Sequence, residues 1–209
     1  TTEAYTTAET AKMLKEATGW LRVFLDISFK TGIRTGEAMA LKWEDFDFVN
    51  GLLYLSRAVT NDKIIVEFNK GSQGKNKKHY RTIPLFESTI ALLKSYYEVR
   101  ADRIWLFISK DGEPFLHSSS INNYHLKPFL KEIGVKYKTL YATRRTYASV
   151  MRFAGEDLEK VQEVMGHTKG SFVTEKHYIT EDILSIQDRQ NQAKHREDLF
   201  NTLIKSEEK

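Results

Sequence analysis

The apolar positions in the first fifth of the chain predict three helices in succession. Thr6 and Glu9 have the spacing of a capping box, and apolar residues follow at helical intervals up to residue 17. Residues 20–29 are strongly apolar with too little alternation for a strand, so Gly32 is placed to end a buried helix. A short helix over residues 36–41 follows, with Thr35 in the position of its cap.

The pattern then changes to short runs that are typical of β-strands. Three strands of one antiparallel sheet are predicted over residues 52–56, 63–68 and 80–85. Asn50 and Gly51 give a hairpin turn signal before the first strand, whereas residues 43–48 are interpreted as a connection. Further helices are predicted over residues 88–100, 119–132, 140–154, 157–165, 171–178 and 181–204. The predicted fold class is mixed α+β: mainly helical, with a small antiparallel three-stranded sheet on one side.

Composition narrows the class of protein. The 209 residues are 41% hydrophobic, which is enough for a real core. The absence of cysteine excludes disulfides, thiolate zinc sites and cysteine nucleophiles. No apolar run approaches 18 residues and no signal peptide is evident, so we expect a soluble, cytoplasmic protein without a membrane partner. Because the chain begins at Thr1 and not at Met, we expect an excised fragment.

The charges are distributed unevenly along the chain. The formal net charge is +4, and residues 181–209 hold seven acidic and five basic side chains, so residues 1–180 carry +6. Residues 63–81 contain six Lys or Arg against one acid, and residues 127–152 contain seven against one. These clusters favour double-stranded DNA as a partner, although solvated lysine-rich faces give the same pattern.

The candidate chemistry lies in the second half of the chain. Arg144 and Arg145 fall in mid-helix, His167 follows the end of the next helix, and Tyr178 comes eleven residues later. The planar fork of arginine suits a phosphate, and tyrosine is an oxygen nucleophile that can accept one. Two guanidinium groups on one phosphate could stabilise the negative charge of phosphodiester attack without a metal.

These residues resemble a known family. The run Y-A-T-R-R-T-Y-A-S at 141–149, with His167 and Tyr178, resembles the second signature region of the tyrosine recombinases, or phage integrase family. The run T-G-I-R-T-G-E at 31–37 resembles their first box. The resemblance implies a DNA-cleaving and rejoining enzyme that forms a 3′-phosphotyrosine and uses no cofactor, metal or ATP. It implies six catalytic residues: Arg34, Lys75, Tyr141, Arg144, His167 and Tyr178.

The same resemblance implies supporting roles for other residues. Glu37 is expected to support Arg34 from within its turn. The run K-N-K-K-H-Y-R-T-I-P-L at 75–85 resembles the segment whose lysine protonates the leaving 5′-oxygen, and Lys75 fits best, with Lys70, Lys77 and Lys78 as alternatives. The residues expected to contact DNA are Lys70, Lys77, Lys78, Arg81 and Arg145.

Several assignments keep alternatives open. Tyr141 stands where the family usually has a histidine; it shares a helix face with Arg144 and could bind a phosphate, or it is a core aromatic. Tyr147 competes with Tyr178 as the nucleophile because it lies on the helix of Arg144. The only tight carboxylate cluster is interpreted as turn and capping residues and not as a metal site; it consists of Glu44, Asp45 and Asp47.

The resemblance also implies a domain organisation. Residues 1–180 are expected to form the catalytic domain, with the family's N-terminal DNA-binding domain absent from this fragment. Residues 181–209 are expected to form a helical tail, whose apolar stripe packs on its own domain or on a neighbouring protomer. The implied assembly is a homotetramer on two DNA duplexes. The implied source of the protein is a bacterium or a phage. The alternatives are a type IB topoisomerase and a DNA-binding module whose catalytic centre has decayed.

Overall fold

The structure is a computed structural model, and it describes residues 3–68, 80–100 and 104–166. In these ranges the chain is mainly helical, and a five-residue π-helical segment, Asn122–Leu126, joins α5 directly to α6. The helices are α1 (Thr7–Glu16), α2 (Gly19–Thr31), α3 (Thr35–Met39), α4 (Glu87–Val99), α5 (Ser118–Ile121), α6 (Lys127–Glu132), α7 (Tyr141–Phe153) and α8 (Leu158–Met165).

The strands form two small antiparallel units. They are β1 (Phe46–Asp47), β2 (Leu52–Leu55), β3 (Arg57–Val59), β4 (Ile65–Glu67) and β5 (Arg81–Pro84). β1, β2 and β5 make a three-stranded sheet in the order β1-β2-β5, with Leu53 opposite Phe46 on one side and Ile83 on the other. β3 and β4 pair only with each other. The predicted fold class is therefore confirmed.

The membership of the three-stranded sheet differs from the prediction. The prediction that residues 63–68 belong to it is wrong, because β4 pairs with β3 in a separate hairpin. A short turn closes this hairpin, with the Thr60 N–H donating to the Ile64 carbonyl at 2.9 Å, and such a local pairing needs little loop closure. The third strand is β1, from the segment interpreted as a connection, and the predicted turn at Asn50 and Gly51 joins it to β2.

The described helices lie where the sequence predicts them, with ends displaced by a few residues at most. The capping box of α1 is confirmed: the Thr6 N–H donates to Glu9 Oε2 at 2.8 Å, and the Glu9 N–H donates to Thr6 Oγ1 at 3.1 Å. The assignment of Thr35 as the cap of α3 is wrong. The capping residue is Arg34, because its N–H donates to the Glu37 carboxylate at 2.7 Å and so closes the first turn.

Helix α2 lies at the centre of the core. Its apolar residues are buried along most of its length, because it packs against α1, α3, α4 and α7. The N-terminal segment also holds α7, where the Tyr5 N–H donates to Thr146 Oγ1 at 2.9 Å. The packing of α2 on α7 brings the C-terminal end of α2 beside the middle of α7. None of the helices in the described ranges has the length and hydrophobicity of a membrane span.

Candidate active site

Arg34 lies on the turn between α2 and α3 with its side chain 35% exposed. Its Nη1 donates to Glu37 Oε1 at 3.0 Å, and its Nη2 lies 3.5 Å from the carbonyl oxygen of Gly166, just beyond α8. The guanidinium is therefore oriented from beneath by a carboxylate while part of it faces solvent. A phosphate that approaches from solvent can reach this arginine without entering the core.

Glu37 is almost fully buried, at 1% exposure, and joins two arginines. Arg81, on β5, donates from both Nη atoms to the two Glu37 oxygens at 2.9 Å. Burial alone would raise the pKa of Glu37, but the hydrogen bonds and charge of Arg81, with those of Arg34, lower the pKa to about 2. Glu37 therefore stays ionised, and its charge fixes the guanidinium of Arg34.

Arg144 is the fourth residue of α7 and is 1% exposed. Its Nη1 donates to the carbonyl of Gly32 at the end of α2, and its Nη2 donates to the carbonyl of Met165 at 2.6 Å. Arginine keeps its charge when buried, and the carbonyls at helix C-termini carry partial negative charge. Arg144 therefore connects three helices through the negative ends of two of them.

The last turn of α8 is where the three arginines meet. Arg81 Nε donates to the Val164 carbonyl at 2.7 Å, Arg144 donates to the next carbonyl, and Arg34 lies nearest the carbonyl after that. Three guanidinium groups from three parts of the chain thus face three consecutive carbonyls, at residues 164–166. The next residue along the chain is His167. The arrangement holds the segment that leads into the predicted histidine.

Two glycines make these approaches possible. Gly166 ends α8 in the left-handed region at φ 69°, and a Cβ there would lie 3.0 Å from Arg81 Nη1. Gly32 ends α2 at φ 61°, and a Cβ there would overlap the ring of Tyr147. Both positions need glycine for the backbone conformation and for the close neighbour.

The remaining candidates on α7 differ in exposure. Tyr141 is 39% exposed, so it is not a core aromatic, and it lies at the first residue of α7, three before Arg144. Arg145 is half-buried. Tyr147 is buried against Gly32, and burial raises its pKa to about 12, which makes it a poor source of a phenolate.

The carboxylate cluster before β2 has the structural role that the sequence indicates. Asp45 accepts from the Lys42 N–H at 2.7 Å, and Asp47 accepts from the N–H groups of Val49 and Asn50 at 3.0 and 2.9 Å. The interpretation of Asp45 and Asp47 as turn and capping residues is confirmed, whereas Glu44 pairs with Arg57 Nη2 at 3.0 Å. In the part of the chain that the structure describes, no three His, Asp or Glu side chains are grouped in a way that could hold a metal ion.

Several predicted residues lie outside the described ranges, and their roles stay predictions. They are Lys70, Lys75, Lys77, Lys78, His167, Tyr178 and the tail over residues 181–209. The inward position of Arg81 is a feature that the sequence reasoning missed. A signal for it exists, because Arg81 shares a strand face with Ile83, which is 1% exposed. The predicted DNA contact of Arg81 remains a prediction.

Comparison with known proteins identifies the family. The model of the phage integrase family matches residues 3–183, so the chain belongs to this family. A tyrosine recombinase XerC-like protein of Caldanaerobacter subterraneus is 30% identical over 184 residues, covering 77% of this chain and 46% of that protein. The prophage integrase IntR of Escherichia coli is 26% identical over 168 residues, covering 69% of this chain and 39% of that protein. The chain thus spans less than half the length of these relatives.

Solved structures share the fold. The XerA recombinase superposes with a TM-score of 0.66 at 21% identity, covering 92% of this chain and 63% of that one. The Tn1549 transposon integrase, in complex with a circular intermediate DNA, gives a TM-score of 0.68 at 18% identity, covering 93% and 66%. At these identities the likeness concerns the fold, which is that of a tyrosine recombinase catalytic domain.

Proposed function

We propose that this chain is the catalytic part of a site-specific DNA recombinase that integrates or excises a mobile element. The observation that carries the proposal is the meeting of Arg34 and Arg144 at the end of α8, one residue before His167. These two arginines are 110 positions apart in sequence, yet both reach adjacent carbonyls. Membership of the phage integrase family supports the same reading.

The proposed reaction is a transesterification at phosphorus. The Tyr178 hydroxyl releases its proton to solvent and its oxygen forms a bond to the scissile phosphorus, giving a 3′-phosphotyrosine. The bond from phosphorus to the 5′-oxygen breaks, and the leaving oxygen keeps the electron pair and takes a proton from Lys75. Arg34 and Arg144 stabilise the charge on the non-bridging oxygens, and His167 and Tyr141 bind the same phosphate. Rejoining is the reverse step, so neither ATP nor a metal is needed.

Arg144 requires a change before it can act in this way. Its side chain is 1% exposed, so a phosphate oxygen can reach it only after neighbouring groups move. Each Nη atom of an arginine carries two hydrogens, so each can donate to two acceptors, and Arg144 uses both Nη atoms to hold backbone carbonyls. Arg144 can therefore hold α2 and α8 and bind a phosphate through the same guanidinium once the site opens.

The proposal includes an assembly. Residues 1–180 form the catalytic domain, and the tail over residues 181–209 passes to a neighbouring protomer in a tetramer on two duplexes. A DNA-associated location in the cytoplasm follows from this role. If the tail docks in trans, deleting it after Gln192 leaves a folded, DNA-binding monomer that assembles poorly. A truncated protein that melts at a lower temperature as a dilute monomer would contradict docking in trans.

Covalent capture tests the chemistry. The 209-residue chain is incubated with a pool of nicked duplexes of randomised sequence in EDTA, and SDS-resistant adducts are isolated and sequenced. We expect adducts with the wild type and with Tyr147→Phe, and none with Tyr178→Phe, which should still bind DNA. Adducts from Tyr178→Phe would overturn the assignment of Tyr178 as the nucleophile. Wild-type protein that binds DNA without forming adducts would identify a DNA-binding module whose catalytic centre has decayed. Adducts on single duplexes without strand exchange would favour the topoisomerase alternative.

A further inference from the structure

Arg81 lies largely below the surface, and the protein covers most of its side chain. Its side chain is only 9% exposed, both Nη atoms donate to Glu37, and Nε donates to the Val164 carbonyl. Its side chain also lies against Gly166, where an added Cβ would be 3.0 to 3.2 Å from Nη1, Cζ and Cδ of Arg81. These bonds commit the side chain to holding Glu37 and the end of α8 in place, and not to binding a phosphate at the surface.

We propose that Arg81 is a positioning residue for the reaction assigned above, on which this inference rests. Through Glu37 it fixes the guanidinium of Arg34, because the same carboxylate accepts from both arginines. Through Val164 and Gly166 it fixes the turn that leads to His167. One side chain on β5 thus aligns Arg34, which is proposed to bind the scissile phosphate, and holds the end of α8, from which the chain continues to His167.

The geometry explains why an arginine is needed at this position. Its two Nη atoms donate to both oxygens of Glu37 while Nε donates to the Val164 carbonyl. One planar guanidinium therefore donates three hydrogen bonds in fixed directions. A lysine can keep the positive charge beside Glu37, but its single nitrogen cannot hold the carboxylate and α8 in the same geometry. Charge and alignment are therefore separable by substitution.

The chain offers a matched control in Arg57. It is also 9% exposed at the side chain and also donates to a buried carboxylate, with Nη1 at 2.8 and 2.7 Å from the Asp45 oxygens. Among the described residues its side chain donates to Asp45 and Glu44, and not to α8 or Arg34. Its replacement disturbs a buried ion pair of similar kind without touching the proposed phosphate site.

The test measures single-turnover cleavage of a nicked duplex captured above, made with either an ordinary phosphate or a methylphosphonate at the scissile position. A methylphosphonate lacks one anionic oxygen, so its transition state needs less stabilisation by arginine. We expect Arg34→Ala to reduce the cleavage rate by about 10²–10³-fold on the phosphate substrate and by far less on the methylphosphonate substrate. Arg81→Gln should reduce the cleavage rate by on the order of 10²-fold on the phosphate substrate. Its loss on the methylphosphonate substrate should again be smaller.

Two further variants separate alignment from folding. Arg81→Lys should keep the melting temperature close to that of the wild type and still be at least about tenfold slow on the phosphate. Arg57→Gln should lower the melting temperature and, assayed well below it, cleave both substrates within a few-fold of the wild type.

Each outcome decides the matter. Equal losses on the two substrates for Arg81→Gln, or wild-type speed for either Arg81 variant, would overturn the positioning role alone. Weaker DNA affinity with a salt slope reduced by about one, and an unchanged rate at saturating DNA, would make Arg81 a phosphate contact instead. Wild-type protein that forms no adduct would overturn both the proposed reaction and this inference.

Discussion

Glu37 and Asp45 are both nearly buried carboxylates that accept hydrogen bonds from an arginine, yet their surroundings differ. Glu37 takes both Nη atoms of Arg81 and adds Arg34, and its pKa falls to about 2. Burial raises the pKa of Asp45, and the bonds from Lys42 and Arg57 do not overcome it. Arg57 donates to the exposed carboxylate of Glu44 as well as to Asp45. It therefore offsets the effect of burial on the pKa of Asp45 less completely than Arg81 and Arg34 do for Glu37.

The two clusters also differ in what they connect. Asp45 and Arg57 are twelve residues apart and hold the 3₁₀ turn at Trp43–Asp45 against β3. Glu37 and Arg81 are 44 apart, and Arg81 reaches α8 a further 83 residues on. A buried ion pair is therefore not by itself a sign of function. Convergence of distant segments on an arginine that still faces solvent is the more informative feature.

The largest expected difference between the clusters lies in cleavage. Arg34→Ala should reduce single-turnover cleavage by about 10²–10³-fold, because it removes a preorganised donor to the phosphate, with a much smaller change in DNA binding. Arg57→Ala should instead destabilise the fold by about 3–5 kcal/mol, since it leaves Asp45 buried without its partner. Cleavage assays well below the melting temperature, with urea unfolding of both variants, check this. An Arg57→Ala variant that cleaves slowly but has normal stability would contradict this difference between the two clusters.

The second difference concerns stability against pH. The pKa of Glu37 is lowered from 4.5 to about 2, so its contribution to stability is fully present above pH 4.5 and is lost as the pH falls through about 2. Glu37→Gln should therefore cost about 3 kcal/mol at pH 7 and progressively less towards pH 2. Urea unfolding at several pH values measures the difference from the wild type.

Asp45→Asn is the matched control for this experiment. The pKa of Asp45 is raised in the folded state, so the folded protein takes up this proton more readily than the unfolded chain. Lowering the pH through that range favours the fold, which is the opposite sign to Glu37. Asp45→Asn should thus retain the acid-induced loss that Glu37→Gln lacks. A loss of acid sensitivity in Asp45→Asn would show that the two carboxylates had been assigned the wrong way round.

A third prediction concerns the contact between the two clusters. Gly36, beside Glu37 on α3, lies so close to β3 that an added Cβ would overlap the carbonyl oxygen of Val59. Gly36→Ala should therefore destabilise by about 2–3 kcal/mol and slow cleavage, because α3 must move and carries Glu37 with it. Gly19→Ala should cost about 1 kcal/mol through its φ of 54° alone, with normal cleavage, since nothing lies near its Cβ. Equal cleavage by the two variants would contradict this reasoning.

The smallest effect is expected at Tyr141, which is 39% exposed at the first residue of α7. Tyr141→Phe should change the free energy of unfolding by less than about 0.5 kcal/mol. If its hydroxyl binds the phosphate, cleavage should fall by about tenfold at most, the worth of one neutral hydrogen bond. A stopped assay at saturating DNA measures this. A loss as large as that of Arg34→Ala would place Tyr141 among the main charge-stabilising or proton-transferring groups.

Local pattern was enough for much of the fold and for the family. The capping box at Thr6, the buried run ended by Gly32 and the turn at Asn50 and Gly51 depend on residues a few positions apart, and all three are found as predicted. The runs around Arg34 and Arg144 indicated the family in the same way, because spacing within a turn or helix is visible along the chain.

Tertiary structure alone decided how those pieces meet. The pairing of β4 with β3, the inward direction of Arg81 and the approach of Arg34 to Gly166 join residues up to 132 positions apart. Periodicity places a side chain on one face of its element, but the partner on that face depends on how the elements pack. The sequence therefore determined the family and the candidate residues, and packing determined that three arginines meet at the end of α8.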